Sequence, residues 1–182
     1  ESRTLENTMR TRTGRMAFCC LALTALLCSL AVGAAAFELG HTSVTYNDPA
    51  RGNRSIPTEI YYPAATPGDD VPIAAPPAGG RPIIAIGHGF VISWSDYEYL
   101  WEHLAPRGYI VAIPRTETGL LPDHEDLGLD LAFLPGAVLA DGADPNSPLF
   151  SGVGASSAVS GHSMGGGASF LGAASNPTIT AI

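Results

Sequence analysis

The chain has 182 residues, enough for one domain, and a formal net charge of −8 at pH 7. Every cationic side chain is Arg; from Phe37 onward five Arg face fifteen Asp and Glu. So acidic a surface repels phosphate backbones, which argues against nucleic acid as a partner and leaves solubility as the role of the charge.

In chain order, Glu1 to Thr8 is expected to be upstream sequence read through, with Met9 as the true start. Arg10, Arg12 and Arg15 form a basic head, Cys19 to Val32 is uncharged and rich in Leu, Ala and Cys, and Ala34-Ala35-Ala36 offers small residues for cleavage before Phe37. Residues 9–36 therefore have the layout of a secretory signal peptide, and the expected destination is the secretory pathway or the exterior. The alternative is a membrane anchor formed by residues 17–36, a stretch of 20 residues without charge. All three cysteines, Cys19, Cys20 and Cys28, fall in this segment, so they say nothing of disulfides or metal sites in residues 37–182.

Ser43–Tyr46 and Thr58–Tyr62 read as short strands, separated by turn-forming Asn47-Asp48-Pro49 and Arg51-Gly52-Asn53. Asn53-Arg54-Ser55 is a glycosylation sequon, equally readable as a plain turn. Pro63 to Pro82 is a Pro-, Gly- and Ala-rich loop. Ile83-Ile84-Ala85-Ile86 is a continuous apolar run, as in a strand buried on both faces, and it ends in Gly87-His88-Gly89-Phe90. A buried strand that stops in a glycine loop can turn backbone N–H groups toward a ligand.

Ser95 to Glu98 fits a capping box, with Trp94 stapled onto Tyr99 and Tyr97, Leu100, Trp101 and Leu104 on one apolar face. Pro106 and Gly108 end that helix, and Tyr109–Ile113 is the next buried strand, which a right-handed crossover makes parallel to the first. Asp123 caps a second helix carrying Leu127, Leu131, Leu134 and Val138, which Pro135-Gly136 should break or kink. Asp126 and Asp130 sit one turn apart on it and read as a solvated face rather than a carboxylate pair.

Val159-Ser160-Gly161-His162-Ser163-Met164-Gly165 then reads as a strand entering a sharp turn and a helix, with Ala168, Leu171 and Ala174 at helical spacing. Gly-x-Ser-x-Gly is the form of a nucleophile elbow: the serine is pushed out of a cramped bend, and glycine two residues either side removes side chains that would clash. The alternative is a plain Gly-rich turn.

Together, His88-Gly89-Phe90 after a buried strand and the Gly161–Gly165 elbow after the intervening helix, strand and helix resemble the α/β-hydrolases. The branch is similar to polyester hydrolases, cutinase-like lipases, chlorophyllases and platelet-activating-factor acetylhydrolases. The resemblance implies a partial α/β-hydrolase fold over residues 37–182, a mostly parallel sheet with helices on both faces, truncated after the helix that follows the elbow. It implies that Ser163 attacks an ester carbonyl, that the backbone N–H groups of Phe90 and Met164 hold the oxyanion, and that the Phe90 ring lines the acyl or aromatic subsite. Trp94 is a further candidate wall, by proximity alone. Substrates would be small-molecule, lipid or polyester esters, with no cofactor and no metal.

The sequence departs from the family in one respect. The triad order is Ser, then Asp or Glu, then His, yet of the 19 residues after Ser163 none is Asp, Glu or His. The acid and the base are expected beyond Ile182. His88 and His162 are in the wrong chain order for the base; His41, His103 and His124 read as surface or helix-end residues. His124-Glu125-Asp126 does not converge on one ion, and no P-loop, dinucleotide fingerprint or zinc pattern is present. A thioesterase or peptidase on the same fold, or a non-catalytic binding relative, are the alternative functions.

Overall fold

The computed structural model describes residues 36–182. The expected leader, residues 9–36, lies outside them but for Ala36. Among the described residues no helix is long and apolar enough to cross a membrane. Six strands, β1 (Glu38–Asp48), β2 (Arg54–Ala64), β3 (Gly68–Asp69), β4 (Arg81–Gly87), β5 (Ile110–Pro114) and β6 (Val153–Gly161), form one sheet in the order β3-β1-β2-β5-β4-β6. The β5-β4-β6 half is parallel, while β2 runs antiparallel to both β1 and β5.

The first two strands are longer than the sequence suggested because they make one hairpin, in register from Glu38↔Ala64 to Asp48↔Arg54. The turn between them holds Gly52 and Asn53 at φ 64° and 60°, a left-handed bend that these two residue types tolerate best.

Among the described residues the α-helices are α1 (Glu98–Leu104), α2 (His124–Asp141) and α3 (Met164–Ser175). Alternation along the strands sends Ile60, Tyr62, Ile83, Ala85, Ile110 and Ala112 to the face covered by α2 and α3. Their neighbours Tyr61, Ile86, Val111 and Ile113 go to the face covered by α1. Each fully buried Ile or Leu contributes about 1.5–3 kcal/mol, as an upper bound against an extended chain.

Five local expectations are corrected. The capping box belongs to Ser93 and Asp96, not to Ser95 and Glu98: Ser93 Oγ accepts from the Ser95 N–H at 3.3 Å and Asp96 Oδ2 accepts from the Ser93 N–H at 3.0 Å. A 3₁₀ turn over Trp94–Tyr97 precedes α1, so the cap moves back by two residues. Trp94 consequently packs on Trp101, ring centroids 5.6 Å apart, rather than stapling Tyr99. Pro135 does not break α2, which runs unbroken past it with Leu131, Leu134, Pro135 and Val138 all buried. The lost hydrogen bond and ring clash, about 3 kcal/mol in an isolated helix, are outweighed by packing against the sheet and α3.

On α3 the buried stripe is Gly165, Ala168, Ser169 and Gly172, not Ala168, Leu171 and Ala174. The helix lies so close to α2 that a Cβ on Gly172 would meet the Gly128 carbonyl oxygen at 2.7 Å, so only the smallest residues fit the contact. Leu171 is left half in solvent. The fifth correction, at Asp130, belongs with the site.

Candidate active site

β4 and β6 end side by side, Gly87 opposite Gly161, and both chains turn there. Ser163 sits at the tip of the second turn with φ 53° and ψ −112°. Such a backbone is strained for any residue with a Cβ and is held only by its surroundings. The surroundings are backbone packed on backbone. A Cβ on Gly161 would overlap the Gly165 carbonyl, and one on Gly165 would overlap the Gly87 carbonyl. The bend is locked by His162 N–H donating to Gly87 O at 3.1 Å and Gly165 N–H donating to His162 O at 2.9 Å. Ser163 is solvent-exposed and Met164 is buried as the first residue of α3. The macrodipole of that helix favours negative charge beside Ser163.

The loop after β4 faces this bend. A Cβ added to Gly89 would lie 2.9 Å from His162 Nδ1, so the loop and the elbow are in contact. Their link is the Tyr97 hydroxyl, which accepts from the Gly89 N–H at 2.8 Å and lies 3.1 Å from His162 Nδ1. Phe90 follows, its ring about half exposed, and then Val91 at φ 55°, an uncommon conformation for a β-branched residue. Among the described residues neither the Phe90 N–H nor the Met164 N–H donates to a protein acceptor. Nor does any described side chain bond the Ser163 hydroxyl. Trp94 shares a cleft of about 520 Å³ with Val91, Ile92, Pro57 and Arg115; Ser163 is not in its wall. Asn53 is exposed in the turn of the β1–β2 hairpin.

Beneath the loop lies a charged cluster that sequence reasoning missed. Asp130 is fully buried, not on a solvated face. Its carboxylate accepts from Arg51 Nη2 at 2.5 Å, from Arg54 Nε and Nη2 at 2.9 Å each, and from Thr116 Oγ1 at 2.6 Å. The Asp130 hydrogen bonds, acting against burial, push the Arg54 guanidinium well above its ordinary value. For Arg51, burial pulls down but the bonds to Asp48 and Asp130 prevail and raise it. The Thr116 carbonyl oxygen is in turn 2.7 Å from Nε2 of His88, whose side chain is also fully buried. A continuous path thus runs from the two arginines through Asp130 and Thr116 to the residue before Gly89. The signal was present: Asp130 is three residues after Leu127 and four before Leu134, inside the apolar stripe of α2.

An exposed serine held at positive φ between a parallel strand and a helix, facing a glycine loop from the neighbouring strand, defines the α/β-hydrolase class. The sequence profile described as PET hydrolase-like matches residues 57–182, and the chain belongs to that family. Among solved structures the fold is similar to a ferulic acid esterase from Streptomyces cinnamoneus, with TM-score 0.59 and 22% identity. That match covers 82% of this chain and 59% of the esterase, so the chain spans well under two thirds of its length. No curated protein matches the chain at a significant level.

Proposed function

We propose that this chain carries the nucleophile and the oxyanion hole of a serine carboxylic ester hydrolase, secreted and acting on small-molecule, lipid or polyester esters. The observation that carries the reading is the strained, exposed Ser163 facing two segments whose Phe90 and Met164 N–H groups have no protein acceptor among the described residues.

On this proposal Ser163 Oγ attacks the ester carbonyl carbon as a histidine takes its proton. The carbonyl oxygen becomes an oxyanion held by the Phe90 and Met164 N–H groups. Collapse expels the alcohol, which takes the proton back from the histidine, and leaves an acyl-enzyme. Water, deprotonated by the same histidine, then attacks the acyl carbon; the acid departs and the serine regains its proton. Each oxyanion donor is worth about 3 kcal/mol of barrier.

The histidine and its carboxylate are supplied, on this proposal, by residues outside the 182, because none follows Ser163 in the sequence. Phe90 and Trp94 would line the acyl side, and Asn53 would carry a glycan on secretion. Sequencing the N-terminus of secreted protein tests the leader: a start at Phe37 supports cleavage, and a retained Met9 refutes it.

The direct test of mechanism is labelling by an organophosphonate probe in a gene product extended past Ile182. Wild type should be labelled and hydrolyse short acyl esters; Ser163→Ala should do neither. Equal labelling of both would remove Ser163 from the mechanism.

A further inference from the structure

The described residues hold five arginines, and three of them, Arg51, Arg54 and Arg115, bridge to carboxylates. The other two, Arg81 and Arg107, have no carboxylate within bridging distance among the described residues, although the chain is strongly acidic. Both line a single cavity of about 530 Å³ at the amino ends of β4 and β5. Ser163 lies at the opposite, carboxyl end of the same strands.

Arg81 is 98% buried, its accessible surface being 2% of the free residue. A buried cation without a counter-charge is unusual, because losing water is compensated only by an opposite charge and hydrogen bonds. Burial alone lowers its guanidinium from the ordinary value, with no acidic neighbour to offset it.

Its Nε and Nη2 are occupied by the carbonyl oxygens of Ala74 and Ala75, the shortest contact being 2.8 Å. Nη1 has no protein acceptor among the described residues; it points toward Gly108, where an added Cβ would lie 3.4 Å away. Gly108 also lines the cavity. Arg107 donates Nη1 to the His103 carbonyl oxygen at 2.7 Å, and its other donors have no acceptor among the described residues. The remaining wall is apolar: the Phe37 ring, 4.2 Å beneath the Arg81 guanidinium, with Pro76, Pro77 and Tyr109.

We infer that this cavity is a binding site for a carboxylate carried on an aromatic body, the carboxylate meeting Arg81 Nη1 and Arg107 and the ring lying among Phe37, the prolines and Tyr109. Guanidinium donors suit a carboxylate in both charge and fork geometry. The volume is that of a small-molecule pocket, mostly apolar with a few convergent polar groups. The site does not rest on the ester-hydrolase reading.

The test is amide NMR titration of the full chain carrying Ser163→Ala with benzoate, benzamide and inorganic phosphate. Benzoate should shift the Gly108 and Tyr109 amides saturably. Arg107→Gln, an exposed change that leaves the fold intact, should weaken benzoate about tenfold, the scale of a charge-assisted hydrogen bond. Arg81→Gln, if it folds, should abolish it. Benzamide binding as tightly as benzoate, or Arg107→Gln leaving the affinity unchanged, would overturn the site. Phosphate shifting those amides as strongly as benzoate would overturn the aromatic carboxylate assignment.

Discussion

Asp130→Asn is the most informative single substitution. It preserves shape while removing the charge that Arg51 and Arg54 share. Four hydrogen bonds end on this carboxylate, at 2.5, 2.9, 2.9 and 2.6 Å, in a residue with no exposed surface. Breaking a buried ion pair from one side costs about 3–5 kcal/mol, because the surviving charge is stranded. Arg51 keeps Asp48 and Arg54 keeps Glu117 as alternative partners, which places the loss near the lower end, about 3 kcal/mol. For a chain of this size that lowers Tm by about 6–12 °C.

The control is Asp126→Asn, one helical turn away, whose side chain is 41% exposed and contacts the same arginines only at 3.3 and 3.6 Å. It should cost less than about 1 kcal/mol. Thermal unfolding followed by circular dichroism reads both. If Asp130→Asn is no worse than Asp126→Asn, the cluster is not what holds the loop above it, and the buried-charge reasoning fails.

Three further outcomes are expected. Gly165→Ala should destabilise the fold severely, since its Cβ would overlap the Gly87 carbonyl, whereas Gly167→Ala, with nothing within 4 Å, should stabilise α3 by about 0.5–1 kcal/mol; equal denaturation midpoints would contradict the interlock. Tyr97→Phe leaves the buried Gly89 N–H without its acceptor, a loss of about 1–3 kcal/mol that urea unfolding and faster amide exchange at Gly89 should both register. Burial raises the Asp141 carboxyl above its ordinary value, more than hydrogen bonds from Tyr46 and Ser147 lower it. A raised folded value means stability present below the unfolded value of about 3.9 and lost as pH rises through the folded one. Asp141→Asn should therefore raise Tm near neutral pH and give no advantage at about pH 3, below both values; no gain near neutral pH would refute the sign.

The site's backbone was legible because glycine spacing and apolar runs are local signals. Gly161, Ser163 and Gly165 announce a cramped bend, and Ile83–Ile86 announces the strand beside it. What escaped depends on chain segments distant in sequence. Asp130 reads as solvated until Arg51 and Arg54, more than 70 residues earlier, are brought over it. The Tyr97 hydroxyl joins Gly89 to His162, 65 residues apart from Tyr97 in the second case, and an aromatic at an apolar helix position looks like plain core. Leu171 misled because hydrophobicity alone ignores how near two backbones come; the contact of α2 with α3 selected Gly128 and Gly172 by size.

The interlock of Gly87, Gly161 and Gly165 has a practical side. Main chain presses on main chain there, leaving no room for a designer or for evolution to try another side chain. Any retuning of the site must then come from the loop after β4, where Phe90 and Val91 stand open to solvent. A mutational library aimed at new selectivity would be spent well on those positions and wasted on the bend.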